Sequence, residues 1–222
     1  MTLGLYAQMS LLAGVAAAPG VYAAMAAWMR TGGWALPWRV VAGCVLGWAA
    51  YFCYTICVLF VVAAFRLLTG ARSPVGSFPY YSWQAFRWGS FNALLLLVRY
   101  TCVNFIRVTP FIVLFQRMMG MRIGRRVQIN TAVIGDSNLI EIGDDTVIGG
   151  DVTLVAHAAE HGRLVTAPVT IGSRVTVGLM AVIFPGVTIG DGAMIAANAV
   201  LPKGTHVGAG EVWGGVPAKR IR

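Results

Sequence analysis

Ile171-Gly-Ser-Arg-Val-Thr-Val177-Gly-Leu-Met-Ala-Val-Ile183-Phe-Pro-Gly-Val-Thr-Ile189-Gly-Asp-Gly-Ala-Met-Ile195 carries an aliphatic residue at every sixth position. Leu201, Val207 and Trp213 continue the spacing, and the position after each is mostly small, as at Gly172, Gly178, Gly190, Ala196, Gly208 and Gly214. A period of six is neither the 3.6 of a helix nor a simple alternation, so it excludes a helix and an ordinary hairpin sheet. It suits short strands joined by tight corners, where glycine accepts positive φ and one aliphatic side chain points inward. Three hexads make one triangular coil, and stacked coils bury a continuous aliphatic ladder. The spacing therefore predicts a parallel β-helix. It leaves the hand open, and the general preference for right-handed crossovers is the one argument available at this level.

Working upstream, Ile142, Ile148 and Leu154 begin the same pattern, and Ile123-Gly124 with Ile129 reads as an opening pair of hexads. The register slips around Ser137 to Glu141. The pattern is interrupted once, by the loop His157-Ala-Ala-Glu-His-Gly-Arg-Leu-Val-Thr-Ala-Pro168. Interruptions of a repeat are where function is placed.

The residues before 120 suit a different solvent. Of 222 residues, 58% are hydrophobic and 11% charged, with a mean hydropathy of +0.73. That is too apolar for an ordinary soluble domain and excludes a disordered or purely cytosolic protein. All eight acidic residues lie from Asp136 onward, whereas residues 1–135 carry eleven Arg and no acid, so the net charge is +11 before the divide and −2 after it. Leu3 to Met29 and Val40 to Phe65 are uncharged runs of 27 and 26 residues, each exceeding the roughly 20 needed to cross a bilayer. They read as transmembrane helices over about 3–29 and 40–65. A cleaved signal peptide would need a basic leader, which Met1 to Gln8 lacks. Between the runs, Gly32, Gly33 and Pro37 break a helix and Trp34 and Trp38 suit an interface, giving a short hairpin connection.

Ser90 to Phe115 is a third apolar stretch. Arg99, Asn104 and Arg107 interrupt it and Pro110 would bend a helix there, which favours an interfacial or half-inserted helix over about 90–115. Arg72, Arg87, Arg99, Arg107, Arg117, Arg122, Arg125 and Arg126 would form a basic collar at headgroup level, each contributing ~1 kcal/mol of attraction to an anionic leaflet. Phe78, Tyr80, Tyr81, Trp83, Phe86 and Trp88 read as an interfacial aromatic belt. Two Arg in the hairpin against nine between Arg66 and Arg126 put the C-terminal half in the cytoplasm. The expected organisation is a membrane domain over 1–119 and a repeat domain over 120–222, in the inner or cell membrane of a bacterium. No nucleic-acid partner is expected. Cys44, Cys53, Cys57 and Cys102 all lie in apolar segments without metal-site spacing and read as small buried hydrophobes.

Pro168-Val-Thr-Ile-Gly-Ser-Arg-Val-Thr-Val-Gly178, Val182-Ile-Phe-Pro-Gly-Val-Thr-Ile-Gly-Asp191 and the terminal Gly214-Gly-Val-Pro-Ala-Lys-Arg-Ile-Arg222 together resemble the left-handed hexapeptide-repeat acyltransferases. The last stretch is similar to that family's Gly-Asn/Val-Pro-Ala-Lys/Arg-x-Ile closing motif. The resemblance covers about residues 120–222; membrane helices feeding such a repeat are more weakly similar to the terminal region of polymerising amino-acid ligases such as ε-poly-lysine synthetase. It implies a left-handed parallel β-helix, a homotrimer, and acetyl-CoA bound in the groove between neighbouring subunits. Backbone at Gly178 and Ala197 would line the pantetheine arm, and Lys203, Lys219 and Arg222 match basic positions that meet coenzyme phosphates in relatives. Relatives often carry Trp where Val175-Thr176-Val177 stands, and Leu179 replaces a common small polar residue, so acceptor and thiol contacts made there would differ.

The family's loop opens with its catalytic histidine after a Val-Thr-Leu strand and before a Pro-Val-x-Ile-Gly strand, which puts that role on His157. An imidazole titrates near neutral pH and can take the proton from an acceptor hydroxyl or amine as it attacks a thioester carbonyl, with no covalent acyl-enzyme. Glu160 and His161 are candidates to orient the imidazole or contact the acceptor, against the plainer reading of solvated loop residues. His206 falls in a regular hexad and reads as a surface position. The expected function is transfer of acetyl from acetyl-CoA to a hydroxyl or amine of a lipid-linked or amphipathic acceptor, a glycan intermediate being the first expectation, delivered among membrane lipids. The alternatives are transfer of longer acyl or aminoacyl groups, a metal protein of the carbonic-anhydrase type, and a non-catalytic trimeric scaffold. No metal is expected, because His206 lies far from His157 and His161 in the repeat.

Overall fold

The structure is a computed structural model that describes residues 2–222, and these divide into two compact units at Thr69 and Gly70. In the first, α1 (Thr2–Met29) and α2 (Leu36–Thr69) form an antiparallel pair. Leu12, Ala16 and Gly20, at a spacing of four, are the buried stripe of α1. A Cβ at Gly20 would stand 2.7 Å from the carbonyl oxygen of Ala50, so this glycine permits the close approach of the two backbones. The Arg39 guanidinium lies 5.0 Å over the Trp28 ring. Most other large side chains, including Leu3, Leu11, Val45, Phe52 and Phe60, are exposed. Both helices are long and apolar enough to cross a membrane, as is the segment Trp83–Ile106.

The second unit opens with β1 (Gly76–Pro79) and α3 (Trp83–Val98), which runs through a π-helical turn (Arg99–Val103) into α4 (Asn104–Ile106). Ser82 starts α3 by accepting the Ala85 N–H at 3.2 Å. The chain then breaks, with Val108 at φ 63, and α5 (Pro110–Met118) begins. Thr109 accepts the Phe111 N–H at 3.3 Å, and Pro110 occupies the first helical position, where its missing N–H has no partner to lose. The stretch expected as one helix over 90–115 is therefore two. The apolar window of Trp83–Ile106 is 56% buried, against 17% and 22% for α1 and α2. Phe91, Leu94, Val98 and Cys102 pack inside this unit. The division expected at 119/120 thus differs from the observed one, because the apolar faces of α3 and α5 are built into the second unit.

Outside residues 157–166, the strands from residue 122 onward fall in turn on three sheets, parallel but for the last strand. The first contains β2 (Arg122–Ile123), β4 (Ile140–Ile142), β9 (Val169–Ile171), β12 (Thr188–Ile189) and β15 (His206–Val207). The second holds β3 (Gln128–Ile129), β5 (Val147–Ile148), β10 (Thr176–Val177), β13 (Met194–Ile195) and β16 (Val212–Gly214), closed by the antiparallel β17 (Lys219–Arg220). β6 (Thr153–Leu154), β11 (Val182–Ile183) and β14 (Val200–Leu201) make the third, which Ile134 joins through a bridge to Leu154. Ile142, Ile148, Leu154, Ile171, Ile183, Ile189, Ile195 and Leu201 are buried, which is the aliphatic ladder read from the hexads.

Register shows where the ladder is disturbed. Ile171, Ile189 and Val207 pair at intervals of 18, three hexads. The interval from Ile142 to Ile171 is 29 and that from Ile123 to Ile142 is 19. The eleven extra residues are the interrupting loop; the net excess of one arises because the step from Ile129 to Ile134, which pairs with Leu154, is one short of a hexad and the step from Ile134 to Ile142, across the 3₁₀ turn Ser137–Leu139, is two over. The loop is a hairpin, β7 (His157–Glu160) and β8 (Arg163–Thr166), and β1 adds to β8 as a third antiparallel strand. Phe78, Ala85 and Leu164 bury a small core under it, with Trp88 packed alongside. Phe78 is therefore an interior residue of this unit and Trp88 is half-buried against it, rather than both belonging to an aromatic belt.

Four of the eight arginines of the basic collar are ion-paired within the protein. Arg122 pairs with Glu141 at 2.5 Å, Arg125 with Asp144 at 3.3 Å, Arg126 with Asp145 at 2.5 Å and Arg107 with Asp151 at 2.8 Å. Arg117 donates to the carbonyls of Ile123 and Gly124.

Candidate active site

The two disturbances of the ladder meet in space. His157, first residue of β7, and Asp136, at the register slip, are joined by a 2.5 Å contact between Nδ1 and Oδ2. Asp136 adopts the left-handed conformation (φ 55, ψ 42), which Asp tolerates better than most residues, and its side chain is completely buried. Its Oδ1 accepts three hydrogen bonds, from Ser73 Oγ at 2.7 Å, Trp88 Nε1 at 2.8 Å and Asn92 Nδ2 at 2.9 Å. Its main-chain N–H donates to Asn92 Oδ1 at 3.1 Å. Burial opposes the Asp136 carboxylate, but the hydrogen bond and charge of His157, with Ser73 and Asn92, more than offset it and hold the carboxyl below its ordinary range.

Each donor is itself fixed. Ser73 exchanges main-chain bonds with the Asn138 side chain, both at 3.0 Å. Asn92 also donates to the Trp88 carbonyl at 3.1 Å. Ser137, next to Asp136, donates to Gln116 of α5 at 2.6 Å. Segments from before α3, from α3, from α5 and from the repeat thus hold one carboxylate, and that carboxylate holds one imidazole. The Trp88 ring packs edge-on against His157 at a centroid distance of 4.9 Å. With Nδ1 engaged, Nε2 is the ring nitrogen available for proton transfer, and the His157 side chain retains 28% of its exposure. His157 borders a cleft of about 270 Å³ whose other walls are Trp88, Asn92, Leu95, Leu96, Arg99, Val133, Ile134, Gly135 and Val155.

The other expected residues lie elsewhere. Glu160 ends β7 and forms an ion pair with Lys203, which follows β14. His161 is exposed at the hairpin tip with φ 45. Gly178 and Ala197 lie on adjacent layers: a Cβ at Gly178 would stand 2.5 Å from the Ala197 nitrogen. Lys219 is exposed on β17, and Arg222 is tied to β16 through Val212 N–H donating to its carbonyl at 2.9 Å. His206 is exposed on β15.

Asp136, Ser73 and Asn92 are site residues that the sequence alone does not mark, and Trp88 reads there only as part of an aromatic belt. The signal for Asp136 was present, since it is the first acid in the chain and sits at the register slip. Ser73, Trp88 and Asn92 come from a segment whose composition spoke only of membrane.

Residues 168–203 match the pattern of the hexapeptide repeat of succinyl-transferase. Galactoside O-acetyltransferase of Escherichia coli is 36% identical over 118 residues, 50% of this chain and 57% of that protein. The Bacillus subtilis protein YvoF, which carries an acetyltransferase name, is 30% identical over 135 residues, 58% of this chain and 77% of its own length. Delta-poly-L-ornithine synthetase of Acinetobacter baumannii is 26% identical over 184 residues, 82% of this chain but 14% of that much longer protein. A six-residue period realised as three sheets, a single histidine-bearing hairpin breaking that period, and a relative of this identity matched over three quarters of its length lead to one assignment: the chain belongs to the hexapeptide-repeat acyltransferase family.

Proposed function

We propose that the protein is a membrane-anchored acetyltransferase that moves acetyl from acetyl-CoA to a hydroxyl or amine of an amphipathic or lipid-linked acceptor, with His157 as general base. The observation that carries this reading is the buried Asp136 carboxylate on His157 Nδ1. A carboxylate there accepts a hydrogen bond from Nδ1–H, which keeps the proton on Nδ1 and leaves the lone pair on Nε2, the state a general base needs. His157 Nε2 then takes the acceptor proton as the acceptor oxygen or nitrogen attacks the thioester carbonyl. The C–S bond breaks as the tetrahedral carbon collapses, and the imidazolium returns its proton to the departing thiolate. Asp136 stabilises that imidazolium, so it acts as a positioning residue.

The three sheets are read as the faces of one left-handed β-helix, and the protein as a homotrimer whose grooves take the coenzyme. The absence of a side chain at Gly178, where backbone of the next layer stands within 3 Å of any added Cβ, supports an extended pantetheine arm passing along Gly178 and Ala197. Exposed Lys219 and the terminal Arg222 would meet its phosphates. Lys203 would have to exchange Glu160 for phosphate to join them. α1 and α2 serve as the anchor, and exposed Tyr100, Phe105, Phe111 and Leu114 supply an apolar surface for the interfacial segment, with the catalytic unit in the cytoplasm.

The names of the Escherichia coli and Bacillus subtilis relatives support acetyl as the group transferred. The similarity to the ornithine polymer synthetase, which reaches into the membrane half, supports aminoacyl transfer as the second reading. Labelled acetyl-CoA incubated with the full chain and a host membrane extract tests the proposal. Label should enter the organic phase of a lipid extraction, and label found in no product would count against it.

A further inference from the structure

The cleft beside His157 has two kinds of wall. Leu95 and Leu96 of α3 and Val133 and Val155 of the repeat give it apolar lining, and Arg99 lines it as well. Leu96 is 39% exposed, which puts it at the mouth. Arg99 opens the π-helical turn that follows α3, and such turns concentrate at functional sites. Among the described residues of the collar, five arginines are held by carboxylates or carbonyls. Arg99 has no such ion pair; its guanidinium rests 5.4 Å over the ring of Tyr100. A half-buried cation that shares a cleft with apolar side chains and the base is suited to an anion carried on an apolar chain.

We propose that this cleft binds an acceptor that is an amphipathic phosphate, with Arg99 holding the phosphate and Leu95, Leu96, Val133 and Val155 holding the adjoining chain. The acceptor's hydroxyl or amine is then presented to His157 Nε2. The inference rests on the acetyl-transfer reading for what happens next, but not for binding. A guanidinium suits phosphate because its planar fork donates two parallel hydrogen bonds to two oxygens. The cleft volume, about 270 Å³, accommodates part of such a molecule, and the exposed mouth at Leu96 lets the rest of the chain remain in lipid.

The test measures binding without acetyl-CoA, so its outcome is separate from that of acetyl transfer. Full-length protein in phosphatidylcholine nanodiscs is titrated calorimetrically with dodecyl phosphate, with inorganic phosphate and with neutral dodecyl maltoside, empty nanodiscs giving the partitioning blank. Dodecyl phosphate should bind at least tenfold more tightly than either of the others. Arg99→Gln should weaken it about tenfold or more, the order expected for a charge-assisted pair, Arg99→Lys should recover part of the loss, and Arg72→Gln should match the unaltered protein. Leu96→Asp, at the exposed mouth, weakens dodecyl phosphate by repulsion and serves if Arg99→Gln fails to fold. Inorganic phosphate binding as tightly as dodecyl phosphate would overturn the amphipathic part. Equal binding of dodecyl maltoside, or an Arg99→Gln titration matching the unaltered protein, would overturn the role of Arg99. Thiol release from acetyl-CoA with a membrane extract is run on the same samples, and its failure with phosphate binding intact would indict the acetyl donor, not the acceptor site.

Discussion

Replacing Asp136 by Asn changes one atom and, by the geometry of the site, reverses one hydrogen bond. Oδ1 of Asp136 receives Ser73, Trp88 and Asn92 at 2.7, 2.8 and 2.9 Å. The new amide must keep its oxygen there, because a flipped amide would turn N–H groups against three donors. Its NH₂ then occupies the Oδ2 position, 2.5 Å from His157 Nδ1, and donates to that nitrogen. The ring proton moves to Nε2, and a base already protonated there accepts nothing. The whole general-base contribution is lost, on the order of 10²–10⁴ in kcat, or about 3–5 kcal/mol of barrier. The fold loses only the difference between charged and neutral hydrogen bonds, about 1–3 kcal/mol. Asp136→Ala is a poorer test because it leaves three donors unpaired. Thiol release from acetyl-CoA in the presence of a membrane extract reads the rate, and differential scanning calorimetry reads the fold. A folded Asp136→Asn protein turning over within threefold of the unaltered one would rule out this role for Asp136.

The Asp136 carboxyl titrates lower in the folded protein than its ordinary 3.8. Its contribution to stability is therefore complete above about pH 4 and is lost as pH falls through the lower folded value. The unfolding temperature should drop more steeply below about pH 4 in the unaltered protein than in Asp136→Asn, and parallel curves would contradict this. Gly178→Ala forces a Cβ to within 2.5 Å of the Ala197 nitrogen; about 1–3 kcal/mol of stability and a raised KM for acetyl-CoA are expected from thermal unfolding and steady-state kinetics. Lys203→Ala removes a partner from an ion pair whose two side chains retain 41% and 37% of their exposure, so stability should change by less than about 1 kcal/mol. Trp88→Phe deletes one donor to Asp136 and should lower kcat with little change in the KM for acetyl-CoA.

The repeat half was legible because its period is enforced by geometry. One aliphatic per hexad must point inward, and Ile171 through Leu201 do so without exception among the residues of the ladder. The hairpin was legible as a break in that period. Its partners were not, because the bond between Asp136 and His157 spans 21 residues and depends on a register slip whose size shows only when strands are paired. Trp88 and Asn92 were hidden for another reason. A helix that buries 56% of its apolar window in its own unit has the composition of one that faces lipid, so hydropathy does not separate the two. The arginine collar misled similarly, because Glu141, Asp144 and Asp145 lie nineteen residues after Arg122, Arg125 and Arg126, one layer of the repeat away.

In the proposed function, the His157 imidazole, poised by Asp136, drives acetyl transfer at a membrane. That role is tested most directly by thiol release from acetyl-CoA, using the purified full chain with a host membrane extract and with His157→Ala alongside at matched folding. Release should require the extract and fall by at least a hundredfold in His157→Ala, the lower bound for loss of a general base. Equal release by a folded His157→Ala protein would contradict it.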